Sequence, residues 1–317
     1  MKSIGKNQTD PLVAILLVLF NEEQHIPRLI DSIINQVYEN LVVFAIDNNS
    51  SDNSASLIES LMPNAFIFKS KINNGYAKGN NIIAEKAIKI NPKYLFVLNT
   101  DMVLDANCIK ELVCLSESYG STIGAISPLI LKSNDNNKTD IIQCYSLKAN
   151  FRTGKTFSKY SNFTFKNIVL PDKIEVNTIQ GGAAFINKEL FDNVGLFNED
   201  NFMYGDELDF AYRTRQTKYK MFVTKKAIAW HFHDWTKKNK TGYYSQYYYI
   251  MRNRFLFFHR YNKVCSLIVT LVKEMFIFLI KLRWALKIAD IGLAKYYYLG
   301  ILHGLQNRKG KANIECK

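Results

Sequence analysis

Two short stretches of the chain carry acids at spacings that could do chemistry. In "LNTDMVL" (Leu98–Leu104) one carboxylate, Asp101, follows the apolar run "KYLFV" and is preceded by Asn99 and Thr100. An amide, a hydroxyl and an acid at a strand exit can close a turn through bonds to nearby backbone. They can equally hold a ligand, because open α/β sheets bind ligands beyond the carboxyl ends of their strands. In "YGDELDFAYR" Asp206, Glu207 and Asp209 come together. Acids there complement the dipole of a helix that starts with them. A carboxylate so placed is also a candidate general base, a role worth about 10²–10⁴-fold in rate. Arg213, one helical turn after Asp209, orients that acid or pairs with it.

The elements that must position these groups follow from periodicity. The apolar runs "VAILLVLF", "LVVFAI", "AFIF" and "YLFVL" read as four strands. Between them lie helical stripes: Ile26, Leu29, Ile30, Ile33, Ile34 and Val37; then Leu57, Ile58 and Leu61; then Ile82, Ile83, Ala87 and Ile88. Such alternation argues for a parallel sheet built from βαβ units. After the four strands come "NEE", "DNNSSD", "KSKINNGYAKGNN" and "NTD", four polar loops at one rim of that sheet. Residues 120–175 read as short strands and loops. "TIQGGAAFI" is a strand entered through a glycine pair, "KELFDNVG" a short helix stopped by Gly195, and a second helix starts near Asp206. "MFVTKKAIAWHFH" reads as strands.

Charge divides the chain. Residues 1–209 hold 19 basic and 24 acidic side chains, whereas residues 210–317 hold 22 and 4. A near-neutral body with a basic last third points to nucleic acid or an anionic membrane surface. The five cysteines are scattered and form no CxxC pair, as expected of reduced thiols in a cytosolic protein. The run Leu12–Phe20 is expected to be a buried strand and not a secretory leader, since Asp10 and Pro11 precede it and "NEEQ" follows it.

Taken together, "LVLFNEEQHIPRLIDSI", "AIDNNSSDNS", "NNGYAKGNN", "LNTDMVL", "GGAAFINKELFDNVGLFNEDNFMYGDELDFAYR" and "YYYIMRNRFLFF" resemble glycosyltransferase family 2, in particular the rhamnosyltransferase-like enzymes of bacterial cell-surface polysaccharide synthesis. The resemblance spans roughly residues 12–260. It implies an α/β, GT-A type fold: a mostly parallel, Rossmann-like sheet flanked by helices. It also implies a nucleotide-sugar donor and a divalent metal, Mg²⁺ or Mn²⁺. On this reading Phe20, Asn21, Glu22, Asp47 and Asn49 line the nucleotide pocket, with Asp47 accepting a hydrogen bond from base or ribose. Gly75 and Gly79 let the backbone approach closely, and Tyr76, Lys78 and Asn80 meet phosphate or ribose. Asn99 and Thr100 flank Asp101, which keeps the second acid of the family's Asp-x-Asp pattern; Asn99 replaces the first. His231 matches a histidine that can complete the metal site, and His233 would share its face if the strand continues. Asp206 and Glu207 stand where the family usually reads Glu-Asp, so the base is either residue: Glu207 by position, Asp206 by chemistry.

The resemblance divides the chain into a lead-in (1–10), a nucleotide-sugar half (11–118), an acceptor and catalytic half (119–262) and a basic tail (263–317). In the tail, Val264, Leu267, Ile268, Leu271, Met275, Phe278, Leu279, Leu282 and Leu286 trace one helical face, with Lys273, Arg283 and Lys287 opposite. Charges interrupt it too often for a span, which needs about 20 mostly apolar residues. An amphipathic helix in an anionic membrane interface is expected, peripheral on the inner face of the plasma membrane, with a saccharide or lipid-linked saccharide as acceptor; the rival is a helix packed on the body. A nucleic-acid-binding protein would leave the four strand-end loops unexplained. A nucleotidyltransferase would need an early Gly-rich phosphate loop that this chain lacks. A catalytically silent nucleotide-sugar binder is the remaining alternative, prompted by Asn99 and the inverted acid pair.

Overall fold

The computed structural model describes residues 10–134, 137–232, 240–287 and 290–313. His233 and Cys316 lie outside them. The first half alternates as expected: β1 (Val13–Leu19), α1 (Ile26–Ile34), β2 (Leu41–Asp47), α2 (Ser54–Leu61), β3 (Phe66–Lys69), α3 (Gly75–Ala87) and β4 (Tyr94–Leu98). A short β5 (Met102–Leu104) and α4 (Cys108–Ser118) follow, then β6 (Ile123–Asn134), β7 (Asn137–Cys144), the hairpin β8 (Leu147–Asn150) and β9 (Lys155–Ser158), and β10 (Lys173–Val176). The chain continues through β11 (Ala183–Asn187), α5 (Lys188–Val194), α6 (Asp206–Thr214) and β12 (Lys220–His231). It then becomes helical: α7 (Lys240–Arg260), α8 (Val264–Lys287) and α9 (Ile291–Leu305).

Among the described residues ten strands form one sheet, whose path runs β10-β12-β6-β11-β4-β1-β2-β3, with β5 against β12 and β7 against β6. Its β4-β1-β2-β3 half is parallel. Beyond β4 it is mixed rather than parallel, because β11 runs antiparallel to both β4 and β6. Alternation along β1 sorts side chains to the two faces: Val13, Ile15, Leu17 and Leu19 join a core with α1 and α4, whereas Ala14 and Leu16 join one with α3 and α6. All these side chains are fully buried. That is why β1 reads as a continuous apolar run, as a strand covered on both faces must.

Two readings need correction. "NGYAKGNN" is not a loop: Gly75–Asn81 are the first two turns of α3. "MFVTKKAIAWH" is one strand, β12, with a register shift between Thr224 and Ile228. The irregularity around "TKKA" broke the pattern that would have marked it as continuous.

Candidate active site

β12 brings His231 to Asp101. In the β5–β12 ladder His231 faces Met102, and the Phe232 amide donates to the Asp101 carbonyl at 2.7 Å. The side chains meet as a result: His231 Nε2 lies 2.9 Å from Asp101 Oδ2. Both are largely buried, so their geometry is held by the walls around them. His231 Nδ1 meets the side-chain amide of Gln143 on β7, 2.8 Å from Nε2 and 3.0 Å from Oε1. With Gln143 Nε2 donating to Nδ1, the ring proton sits on Nε2 and is donated to Asp101. With a cation between Asp101 and the ring, Nδ1–H would donate to Gln143 Oε1 and free the Nε2 lone pair for the metal, the usual way an outer partner orients a ligating imidazole. Gln143 was not anticipated, because β7 is brought here by pairing with β6 and not by any local signal.

Asp101 and His231 suit a divalent cation as an oxygen and a nitrogen ligand. Among the described residues no cluster of three or more His, Cys, Asp or Glu side chains is placed to hold a metal ion. This corner thus offers two such ligands among the described residues, and a diphosphate would have to supply others. Glu22 crowds the same place. Burial first and the Asp101 charge second push its carboxyl up to about 7, against a hydrogen bond from Thr100. A cation beside Asp101 would relieve that repulsion.

The glycine pair joins this corner to the acids of α6. Gly181 and Gly182 precede β11, and neither has a positive φ. Their need for glycine is steric. A Cβ at Gly181 would stand 2.2 Å from Glu207 Oε1, and one at Gly182 would stand 3.1 Å from Asn99 Nδ2. The Glu207 carboxylate therefore lies directly on Gly181, while the Asn99 amide lies on Gly182. The Tyr76 hydroxyl donates to the Gly181 carbonyl at 2.8 Å. One dipeptide thus carries the strand-end loop on one side and the acid pair on the other.

α6 starts from Gly205 in the left-handed region, φ 83°, where the absent Cβ avoids a steric penalty. Its two leading acids differ. Asp206 is 1% exposed, with Oδ1 lacking a hydrogen-bond partner. Burial, then the Glu207 charge, pushes its carboxyl well above the usual range despite a bond from Asn201. Burial raises Glu207 too, opposed by bonds from its own and the Gly205 backbone. Glu207, unlike Asp206, lines a cavity of about 250 Å³ bounded by Gln180, Tyr204, Thr156, Asn253 and Arg254. Tyr204, which the sequence did not single out, has its hydroxyl raised by burial, then by Glu207 and Asp101; it lies in the field of both halves of the site. Asp209 is structural: Arg213 and Arg260 pair with it at 2.9 and 2.7 Å, and the Tyr261 hydroxyl donates to it at 2.9 Å.

The expected nucleotide residues fall into two groups. Asp47 ends β2, and its Oδ1 accepts from the Ser50 amide at 2.9 Å. Asn21, φ 59°, accepts from the Ser51 amide at 2.8 Å; it stitches the loops after β1 and β2 together. Phe20 and Asn49 are exposed on the same rim, as is Lys78 on α3. By contrast Gly75, Asn80 and Thr100 are buried. Asn80 donates to the Tyr76 carbonyl at 3.1 Å, a bond within the helix. Gly75 is required by the fold: φ is +78°, and a Cβ would sit 2.2 Å from the Phe202 carbonyl oxygen. The neighbour that sequence reasoning missed is Asn48, 1% exposed, which donates to the Gly75 carbonyl at 2.9 Å and fixes the start of α3.

Solved structures share this architecture. The mannosyltransferase PcManGT from Pyrobaculum calidifontis, determined with GDP-Man and Mn²⁺, superimposes with a TM-score of 0.56 at 13% identity, over 95% of this chain and 89% of that one. GalNAc-T7, determined with UDP, GalNAc and Mn²⁺, gives 0.59 at 17% identity over 77% of this chain; the match spans 52% of that neighbour's length. The fold is therefore of the GT-A type. Residues 14–195 match the profile of the glycosyl transferase family 2. The chain belongs to that family. Low-salt glycan biosynthesis hexosyltransferase Agl10 of Haloferax volcanii is 28% identical over 309 residues, 94% of this chain and 92% of its own. An uncharacterized glycosyltransferase of Haemophilus influenzae is 23% identical over 206 residues, 63% of this chain and 59% of its own. These relatives support the family and not its rhamnosyltransferase-like branch in particular.

Proposed function

We propose that the protein is an inverting, metal-dependent glycosyltransferase. It moves a sugar from a nucleoside-diphosphate donor, dTDP-rhamnose or a UDP-sugar, to a hydroxyl of a lipid-linked saccharide during cell-surface polysaccharide synthesis, at the cytoplasmic face of the plasma membrane. The observation that carries this reading is the glycine pair, with Asn99 of the strand-end loop on Gly182 and the Glu207 carboxylate on Gly181. Donor-side and acceptor-side groups are one residue apart along the backbone that separates them.

Asp101 and His231 would hold the cation, Mg²⁺ or Mn²⁺, which supplies positive charge against the departing diphosphate. The nucleotide lies along the loops after β1 and β2, with Asp47 toward base or ribose. Glu207 is the base, because it lines the cavity where an acceptor hydroxyl can sit, whereas Asp206 is enclosed. As the acceptor oxygen bonds to the anomeric carbon, its proton passes to Glu207 and the bond from that carbon to the diphosphate breaks. Attack opposite the leaving group inverts the configuration. Burial keeps water away, so a fixed carboxylate acts more strongly than it would in solvent.

Release of nucleoside diphosphate from a panel of nucleotide sugars with Mn²⁺ or Mg²⁺ tests the reading. Glu207→Gln should lose about 10²–10⁴-fold in transfer while a donor still raises its melting temperature. Binding without release by the unmodified chain, whatever the acceptor, would favour the silent-binder alternative. Undiminished transfer by Glu207→Gln would remove Glu207 from the mechanism.

A further inference from the structure

Helix α8 is mounted with its only acid inward and an apolar face outward. Its Glu274 is 1% exposed and accepts from Arg254 of α7 at 2.8 Å. The Tyr297 hydroxyl of α9 donates to it as well, and Lys155 of β9 lies 3.3 Å away. Thr270 and Ala285, on the same side, are also buried. The sequence-derived stripe is divided by this arrangement. Leu267, Leu271 and Phe278 do pack on the body, as the rival reading expected. Leu279 of that stripe joins residues outside it in a second apolar surface: Val269, Val272, Phe276, Ile280 and Trp284, spaced by threes and fours. Val269, Phe276 and Ile280 are 65–68% exposed.

This orientation is specified, because turning α8 by one residue would pull Glu274 from its cations and leave Arg254 buried and unpaired, a large penalty. An ion pair locks the helix in the register that shows its apolar side. Charge then selects what covers that side. Lys273, Arg283 and Lys287 are exposed on the helix, the last two continuing the apolar ridge for one further turn. Beyond residue 209, Glu274 and Asp290 are the acids among the described residues, and Asp290 accepts from the Tyr244 hydroxyl. The outward surface thus combines apolar side chains, cations with long stems and one tryptophan, with no carboxylate of α8 itself. Apolar groups sink to the acyl boundary of a bilayer while such cations reach lipid phosphates. Among the described residues no helix is long and apolar enough to cross a membrane.

We propose that the outward face of α8 docks in the interface of an anionic bilayer, with α8 lying in the membrane plane. Arg254, which holds Glu274, also lines the cavity that contains Glu207. The docked helix therefore stands one side chain behind the acceptor cavity, an arrangement suited to an acceptor whose lipid stays in the membrane. That last link rests on the glycosyl-transfer reading; the docking itself does not.

The test is flotation of the full chain with vesicles of phosphatidylcholine alone and of phosphatidylcholine mixed with phosphatidylglycerol. Binding to the mixed vesicles should be at least about tenfold stronger, weaken in high salt and shift tryptophan fluorescence to the blue. The double variant Val272→Glu with Phe276→Glu should bind about 100-fold more weakly, with its melting temperature and donor cleavage unchanged. Equal binding to both vesicle types, no binding, or full binding by the double variant would overturn the proposal. So would light scattering that finds a dimer dissolved by the two substitutions, since the face would then belong to a second copy. Donor cleavage, read in the same samples without vesicles, reports on glycosyl transfer separately: it can fail while vesicle binding stands, and the reverse.

Discussion

Gly181→Ala adds one methyl group where the structure leaves no room for it. The new Cβ would stand 2.2 Å from Glu207 Oε1 and 2.7 Å from its Cδ and Cγ. Non-bonded carbon atoms settle about 3.5–4.0 Å apart, so the carboxylate must retreat by roughly 1 Å. Gly181 is not among the left-handed glycines, so alanine brings no backbone strain of its own. The obstacle is the end of a flexible side chain that borders a cavity, and it can swing away. The stability cost should therefore fall at or below the low end of the roughly 1–3 kcal/mol seen for overpacking. Catalysis should suffer more, since a displacement of about 1 Å in a reacting group costs on the order of 10²-fold, or about 2.7 kcal/mol of barrier. Steady-state transfer and thermal melts on the same samples separate the two effects. A double-mutant cycle sharpens the test: if the methyl acts by displacing Glu207, Gly181→Ala with Glu207→Gln should be no slower than Glu207→Gln alone. Activity of Gly181→Ala within threefold of the unmodified chain, or a double variant slower by the full product, would refute the reasoning.

Asp206 has a folded pKa above its unfolded value, so its contribution to stability is present below the ordinary aspartate range, near 4, and is lost as pH rises through the folded value. Melts should show the unmodified chain losing stability from pH 5 to pH 8 more steeply than Asp206→Asn. With Glu207 as the proposed base, transfer needs it ionised, and its carboxyl is also raised; the rising pH limb should lie above the usual glutamate range, near 4.3. Asp101→Ala should abolish Mn²⁺-stimulated donor cleavage. Gln143→Ala should weaken Mn²⁺ affinity by about 10–100-fold, as metal titrations would read. Glu274→Ala leaves Arg254 buried beside Lys155 without its acid, and should cost about 3–5 kcal/mol in denaturant melts.

What the sequence could reveal depended on how locally each feature was encoded. β1 and β4 were legible because each is covered on both faces and so reads as a plain apolar run; β2 is buried along its centre, and β3, at the sheet edge with no buried residue, is marked by its phenylalanines. Asp101 and the acids of α6 were legible because a strand exit and a helix start are themselves local. α3 was misread because two glycines in its first two turns carry a helix penalty of about 1 kcal/mol each relative to alanine. They are there for tertiary reasons: Gly75 clears the Phe202 carbonyl, and Gly79 clears Val18 and Asn48, whose atoms would lie 2.9 and 3.0 Å from a Cβ. Gln143 and Tyr204 were invisible for a related cause, since a β6–β7 pairing and a left-handed turn (Tyr204, φ 63°) carry them to the site. The outward face of α8 was half visible. Its apolar residues extend around most of the circumference, and the decision over which of them face outward rests with Glu274, whose partners lie on three other elements.

The order of the two acids fits this geometry. The family usually reads Glu-Asp, and here the longer side chain stands second. The position is set by the backbone, because the turn at Gly205 starts α6 and leaves Glu207, and not Asp206, on the cavity wall. A glutamate there reaches one methylene further than an aspartate would. The extra length is accommodated because Gly181 has no side chain, which is why its carboxylate rests on that backbone. Length and space should therefore be interchangeable. Glu207→Asp alone should leave the carboxylate short of the acceptor and cost on the order of 10²-fold, with Gly181 still bare beneath it. Adding Gly181→Ala should then cost little more, because the methyl would fill space that the shorter acid has vacated. Transfer rates for the four combinations decide the matter. If the alanine harms the aspartate variant as much as it harms the unmodified chain, the space above Gly181 is not what admits the glutamate.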